Sequence, residues 1–119
     1  MLPGANTNVQ WLAGLLDGEG CFTTCRGKDR KYYTPEIHLS MTDRDVVERV
    51  ASVWGTSVRL KGPNRPAHYK TLWETKLSGV VALEAMLNLF PFLSDRRRGR
   101  IEEILSTWEH RRSLKGYAA

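Results

Sequence analysis

The stretch Leu12-Ala13-Gly14-Leu15-Leu16-Asp17-Gly18-Glu19-Gly20 constrains this chain more than any other, because it is apolar, helical in period and acidic at its end. Gly14 and Gly18 stand four apart, on one face of the helix that the pattern predicts, and this spacing lets two helical backbones approach closely. A glycine inside a helix costs about 1 kcal/mol relative to alanine, so its presence points to packing. Gly18 and Gly20 are suited to leaving a helix, with Asp17 and Glu19 at the exit. Carboxylates there oppose the helix dipole, an arrangement that makes sense where a cation binds.

The remaining pattern predicts an α+β chain. Asn8 can cap the first helix, which runs to about Gly18 with Trp11, Leu12, Leu15 and Leu16 apolar on two adjoining faces. Leu12 and Leu16 serve the chain's own core, leaving Trp11, Gly14, Leu15 and Gly18 as a second stripe at i, i+3, i+4 and i+7 that wants a partner. Cys21 to Arg26 reads as a strand, Gly27 to Lys31 as a polar turn, and Tyr32 to Met41 as a second strand with Pro35 at an edge or bulge. Thr42 and Asp45 resemble a capping box for a helix with Val46, Val47, Val50 and Trp54 inward and Gly55 as its stop. Val58 to Lys61 is a third strand, Gly62 to Ala67 a loop, and Tyr69 to Leu77 a fourth strand whose inward face the pattern leaves ambiguous. Ser78 can cap a third helix with Val80, Leu83, Leu87 and Phe90 spaced for burial and Pro91 ending it. A last helix spans roughly Asp95 to Arg112, its stripe Ile101, Ile104, Leu105 and Trp108.

Composition limits the partners. At 119 residues one domain is expected, and 41% hydrophobic residues suit a folded core. A net charge of +5 favours a polyanion, nucleic acid first and an anionic membrane second. No apolar run approaches ~20 residues and Met1 to Gln10 lacks the order of a signal peptide, so a soluble intracellular, cytoplasmic protein is expected, with no membrane partner. Composition hints weakly at a bacterial or phage origin, with an organelle as the other possibility. Cys21 and Cys25, four residues apart on one strand, lie ~13 Å from each other and read as reduced thiols. His38, His68 and His110 show no finger-like spacing to complete a zinc site with them.

The first motif resembles that of the LAGLIDADG homing endonucleases, matching at Leu12, Ala13, Gly14, Leu15, Asp17 and Gly20, with Leu16, Gly18 and Glu19 as near-equivalents. The resemblance extends from Gln10 to about Leu105 through the element order αββαββα, and again at Pro91-Phe92-Leu93 before Arg96-Arg97-Arg98. It implies a single LAGLIDADG endonuclease domain over residues 1–119, with an antiparallel, curved DNA-binding sheet and a C-terminal helix. It also implies a homodimer, since the chain has one motif, with Trp11, Gly14, Leu15 and Gly18 in the interface. Glu19 is then a catalytic metal ligand, joined by the carbonyl of Gly18, for Mg²⁺ or another divalent cation such as Mn²⁺; no small-molecule cofactor is implied. Glu19 stands where the family usually has Asp, lengthening the reach by one methylene. Asp17 either shares in the site or only orients the helix end. Arg96 stands about where the family has a basic residue near the scissile phosphate, with Arg97 and Arg98 as substitutes and plain contact with the DNA backbone as the other reading. Asp43 stands where a polar, water-positioning residue is common; compensation of a helix N-terminus is its alternative.

Specificity is expected on the polar strand faces: Thr23 and Cys25 on the first strand, Thr34, Glu36, His38 and Ser40 on the second, Arg59 and Lys61 on the third. Such groups suit base edges in the major groove. The expected activity is metal-dependent hydrolysis of both strands of a pseudo-palindromic double-stranded DNA site of roughly 20 base pairs. The alternative is a non-cleaving DNA- or RNA-binding regulator, or an intron maturase, on the same fold.

Overall fold

The computed structural model describes residues 3–26, 33–62 and 66–114, the side chains of 3–7, 26 and 109–114 excepted. The turn expected at Gly27 to Lys31, the start of the second strand at Tyr32 and the middle of the Gly62 to Ala67 loop lie outside the described residues. The elements run α1 (Pro3–Glu19), β1 (Gly20–Arg26), β2 (Tyr33–Met41), α2 (Arg44–Trp54), β3 (Arg59–Lys61), β4 (Leu72–Ser78), α3 (Val80–Leu89), a 3₁₀ turn (Phe90–Phe92) and α4 (Asp95–Leu114). The expected αββαββα order is observed, with the additional 3₁₀ turn before the last helix. Among the described residues no helix is long and apolar enough to cross a membrane.

The four strands form one antiparallel sheet in the order β1-β2-β4-β3. One face is apolar. Phe22, Ile37, Leu39 and Leu77 point from it into a core completed by Leu12, Ala13 and Leu16 of α1, Val47 and Val50 of α2, Ala82, Leu83, Met86 and Leu89 of α3, and Ile101 and Ile104 of α4. Thr75, also on this face, is buried and meets the Thr56 hydroxyl at 2.5 Å, so its polar atom is satisfied. This resolves β4: Trp73, Thr75 and Leu77 face the helices, and Glu74, Lys76 and Ser78 the other way.

Local signals need four corrections. Helix α1 starts at Pro3, so Asn8 lies inside it and caps nothing. No capping box forms at Thr42; Asp43 is the N-cap residue, its carbonyl accepting from the amides of Val46 and Val47, and its side chain makes no cap bond. Gly55 does stop α2, at φ 72°. Gly79, at φ 85° and ψ −155°, takes the N-cap position expected for Ser78, because the chain turns from β4 into α3 through a conformation that favours glycine. Finally α3 buries Ala82, Leu83, Met86 and Leu89, leaving Val80 and Leu87 exposed, since a helix apolar nearly all round does not declare which face is inward.

Candidate active site and nucleic-acid interface

The end of the motif helix is held from α4. The Asp17 carboxylate accepts from the backbone amide of Ser94, at 2.8 Å, just before α4 begins. The Ser94 amide first, then its hydroxyl, and with them the charges of Arg97 and Arg96, outweigh partial desolvation and hold the Asp17 carboxyl below its ordinary range. Arg97 donates from Nε to the Asp17 carbonyl at 3.1 Å, and Arg100 to the carbonyl of Phe22, also at 3.1 Å. One face of α4 thereby fastens both sides of the α1–β1 junction. These contacts support the orienting reading of Asp17.

Gly20 completes the junction. A Cβ on it would stand 2.7 Å from Leu16 Cδ2 and 2.9 Å from both Leu16 Cβ and the Leu16 carbonyl oxygen, so only glycine lets β1 leave the helix this tightly. Glu19, the last residue of α1, is exposed. The last carbonyls of a helix, Gly18 among them, lack intrahelical donors. A carboxylate beside such carbonyls is a set of hard oxygen donors and fits Mg²⁺ or Mn²⁺. Among the described residues no group of three or more His, Cys, Asp or Glu side chains is placed to hold a metal ion.

The three arginines separate. Arg98 donates from Nε to the Phe90 carbonyl at 3.2 Å and from Nη2 to the Pro91 carbonyl at 3.0 Å, tying down the 3₁₀ turn. Arg97 is half-buried against Asp17 and Phe22. Arg96 is exposed, and its charge acts on Asp17 at the acidic end of the motif. Asp43 is exposed at the start of α2.

On the second stripe of α1, Gly14 and Gly18 are exposed, and a Cβ on either would meet nothing within 4 Å among the described residues. Leu15 is half-buried beside them. Trp11 is half-buried under the Arg49 guanidinium of α2, 3.8 Å from its ring centroid, so its own chain already covers part of it.

The register places the expected recognition residues on one polar sheet face in cross-strand rows: Cys25 with Thr34; Thr23 with Glu36 and Ser78; Cys21 with His38 and Lys76; Ser40 with Glu74 and Arg59; Lys61 with Leu72. Sequence reasoning missed Glu74, Lys76 and Ser78. Their alternation with Trp73, Thr75 and Leu77 is the signal that finds them. Two carboxylates on this face are already engaged. Glu74 accepts from Arg59 Nε at 2.8 Å. Glu36 is buried between His38, whose Nε2 lies 2.5 Å from Oε1, and the Ser78 hydroxyl, 3.0 Å from Oε2. Burial pushes the Glu36 carboxyl up, but these bonds, with the charges of Lys76 and His38, prevail and hold it below its ordinary range.

No protein-family model matches the chain. Among solved structures, the homing endonuclease I-CvuI in complex with DNA superposes with a TM-score of 0.66 at 18% identity, over 88% of this chain and 68% of that one. The archaeal intron-encoded homing endonuclease I-Vdi141I, complexed with DNA, gives 0.56 at 15% identity over 94% and 71%. The LAGLIDADG meganuclease I-CpaMI, bound to uncleaved DNA, gives 0.53 at 20% identity over 76% and 33%. The chain therefore has the LAGLIDADG homing-endonuclease fold. In sequence it is similar to the probable intron-encoded endonuclease aI2 of Debaryomyces hansenii, 31% identical over 65 residues, which are 55% of this chain and 9% of that protein. It is also 33% identical over 61 residues, 51% of this chain and 9% of the other, to the intron-encoded RNA maturase bI4 of Saccharomyces cerevisiae.

Proposed function

We propose that this chain is a homodimeric, metal-dependent, site-specific DNA endonuclease that cuts both strands by hydrolysis. The observation that carries the reading is an exposed carboxylate, Glu19, ending a helix on which a Cβ at Gly14 or Gly18 would meet none of the described residues within 4 Å. Two such helices side by side bring two copies of Glu19 together, one for each strand. Glu19 and the Gly18 carbonyl would hold the cation, which would supply activation of water and stabilisation of charge on the phosphate. Arg96, always protonated, adds positive charge at the phosphate and has no role as a base. Asp43, exposed at the start of α2, is assigned the orienting of water. Asp17, Arg97 and Arg100 keep the α1–β1 junction in place. The polar sheet face lies in the major groove, where the nine residues of β2 span ~30 Å, about nine base pairs of duplex, so a dimer covers roughly 20.

Incubation with a randomised DNA-site library and Mg²⁺ tests this: double-strand ends at a pseudo-palindromic site are expected. Glu19→Gln keeps the shape and loses the charge, so it should bind that site in Ca²⁺ as a dimer and not cut it. Scission by Glu19→Gln would overturn the assignment. A wild-type chain that binds and never cuts is a non-cleaving DNA- or RNA-binding module, a regulator or maturase, instead.

A further inference from the structure

Glu36 occupies an unusual place for a carboxylate. It lies on the polar face of the sheet, yet is only 6% exposed, covered by its own neighbours His38, Lys76 and Ser78. Held below its ordinary range it is ionised near neutrality, and an ionised carboxylate only accepts hydrogen bonds. The hydroxyl of Ser78 donates to Oε2 at 3.0 Å, and Lys76 Nζ stands 4.0 Å from the same oxygen. His38 Nε2, 2.5 Å from Oε1, must therefore carry a proton and donate it.

The consequence falls on the other ring nitrogen. Among the described residues no buried side-chain nitrogen or oxygen lacks a partner, and the only hydrogen bond of the His38 ring is made by Nε2. Nδ1 is therefore not sealed from solvent, on a side chain 32% exposed at the centre of the polar face, in the row formed with Cys21 and Lys76. In a neutral imidazole with its proton on Nε2, Nδ1 is an acceptor and nothing else.

We infer that Glu36 is a positioning residue that fixes the tautomer of His38 whenever the ring is neutral, so that Nδ1 then reads a hydrogen-bond donor in the major groove. Of the four bases, adenine through N6 and cytosine through N4 offer an amino donor there, whereas guanine and thymine offer acceptors. At one position in each half-site His38 thus selects amino bases over keto bases. The base-reading half of this inference rests on the proposed use of the sheet for DNA; the tautomer half does not.

Nitrogen-15 NMR of the imidazoles in the DNA-free protein, above the titration of the ring, tests the tautomer. A single Nε2–H form of His38 with a slowly exchanging proton is expected; a mixture, or Nδ1–H, would overturn the proposal. Selection from the randomised library in Ca²⁺, at the same pH as the neutral-ring spectrum, should then show one position per half-site preferring A or C by about tenfold. Glu36→Gln can offer either an acceptor or a donor to Nε2, so a mixed tautomer should appear and that preference should shrink, with other positions unchanged. Should Glu36→Gln not fold, His38→Ala must erase the same preference and no other; a site selection identical to wild type would refute the reading role. Wild-type protein with the fixed tautomer but no DNA binding would defeat the proposed function and the base reading with it, whereas a mixed tautomer in a protein that binds DNA defeats this inference alone.

Discussion

Two glycines of the motif, Gly20 and Gly14, should respond to alanine with opposite signs. At Gly20 the added methyl would fall 2.7 Å from Leu16 Cδ2 and 2.9 Å from the Leu16 carbonyl oxygen. Leu16 is fully buried, so its side chain cannot swing clear without displacing the core, and the carbonyl belongs to the helix. Overpacking of this kind costs about 1 to 3 kcal/mol. With ~2.1 cal/mol/K of unfolding entropy per residue, 119 residues give about 0.25 kcal/mol/K, so Tm should fall by roughly 4 to 12 °C. At Gly14 the methyl meets nothing, and relief of the helix penalty should raise the stability of the monomer by up to ~1 kcal/mol, about 4 °C. The same methyl occupies the face offered to a second copy, so light scattering at higher concentration should show weakened association. The assay is thermal unfolding by circular dichroism at concentrations where the chain is monomeric. A Gly14→Ala monomer that melts lower than wild type, or a Gly20→Ala protein with an unchanged Tm, would refute the packing argument.

Arg98→Ala should cost about 1 to 2 kcal/mol in urea unfolding by releasing the Phe90 and Pro91 carbonyls, whereas Arg96→Ala should stay within ~0.5 kcal/mol yet slow cleavage more. The folded-state pKa of Asp17 lies below its ordinary 3.8, so its stabilising contribution is full above that value and is lost as pH falls through the folded pKa; Asp17→Asn should lower stability at neutral pH and flatten the acid limb of a stability-against-pH curve, the two proteins converging at low pH. Arg59→Ala should cost ~1 to 3 kcal/mol at one base position per half-site, because Glu74 holds Nε and leaves the rest of the guanidinium for a guanine edge; a uniform loss over all sequences, measured by competition binding, would assign Arg59 to the phosphate backbone instead.

The elements were legible because their periods are distinct. The alternation of Ile37, Leu39 and Met41 with His38 and Ser40 fixes the faces of β2, and Gly55 marks the end of α2. The phase of α3 was not legible. Val80, Val81, Ala82 and Leu83 are all apolar, and only packing against α1 and the sheet makes Ala82 and Leu83 the inner pair. At the site, the open glycines and the exposed Glu19 follow from the motif, but the division of labour among Arg96, Arg97 and Arg98 does not. Three identical side chains in a row are sorted by which carbonyls happen to lie beside them, and Phe90, Pro91 and Asp17 are brought there by tertiary structure alone. Glu36 is the same case in reverse. A lone Glu on a polar strand face reads as a solvated acid until Ser78, 42 residues away, is placed against it.

The strand order also sets how the chain has to come together. The pairs β1–β2 and β3–β4 join strands that follow one another in sequence, but the central pairing of β2 with β4 puts Glu36 opposite Ser78 and encloses α2 and β3. Closing that loop is the large entropic step, since contacts within each half reward ordering locally and the central pairing rewards it only once the halves meet. Ile37 opposite Leu77 and Leu39 opposite Thr75, all buried, are the contacts that repay the closure. The two halves of the polar sheet face therefore share a register only through this central pairing, and a chain interrupted between α2 and β4 loses the cross-strand rows that join Glu36 to Ser78 and Ser40 to Glu74.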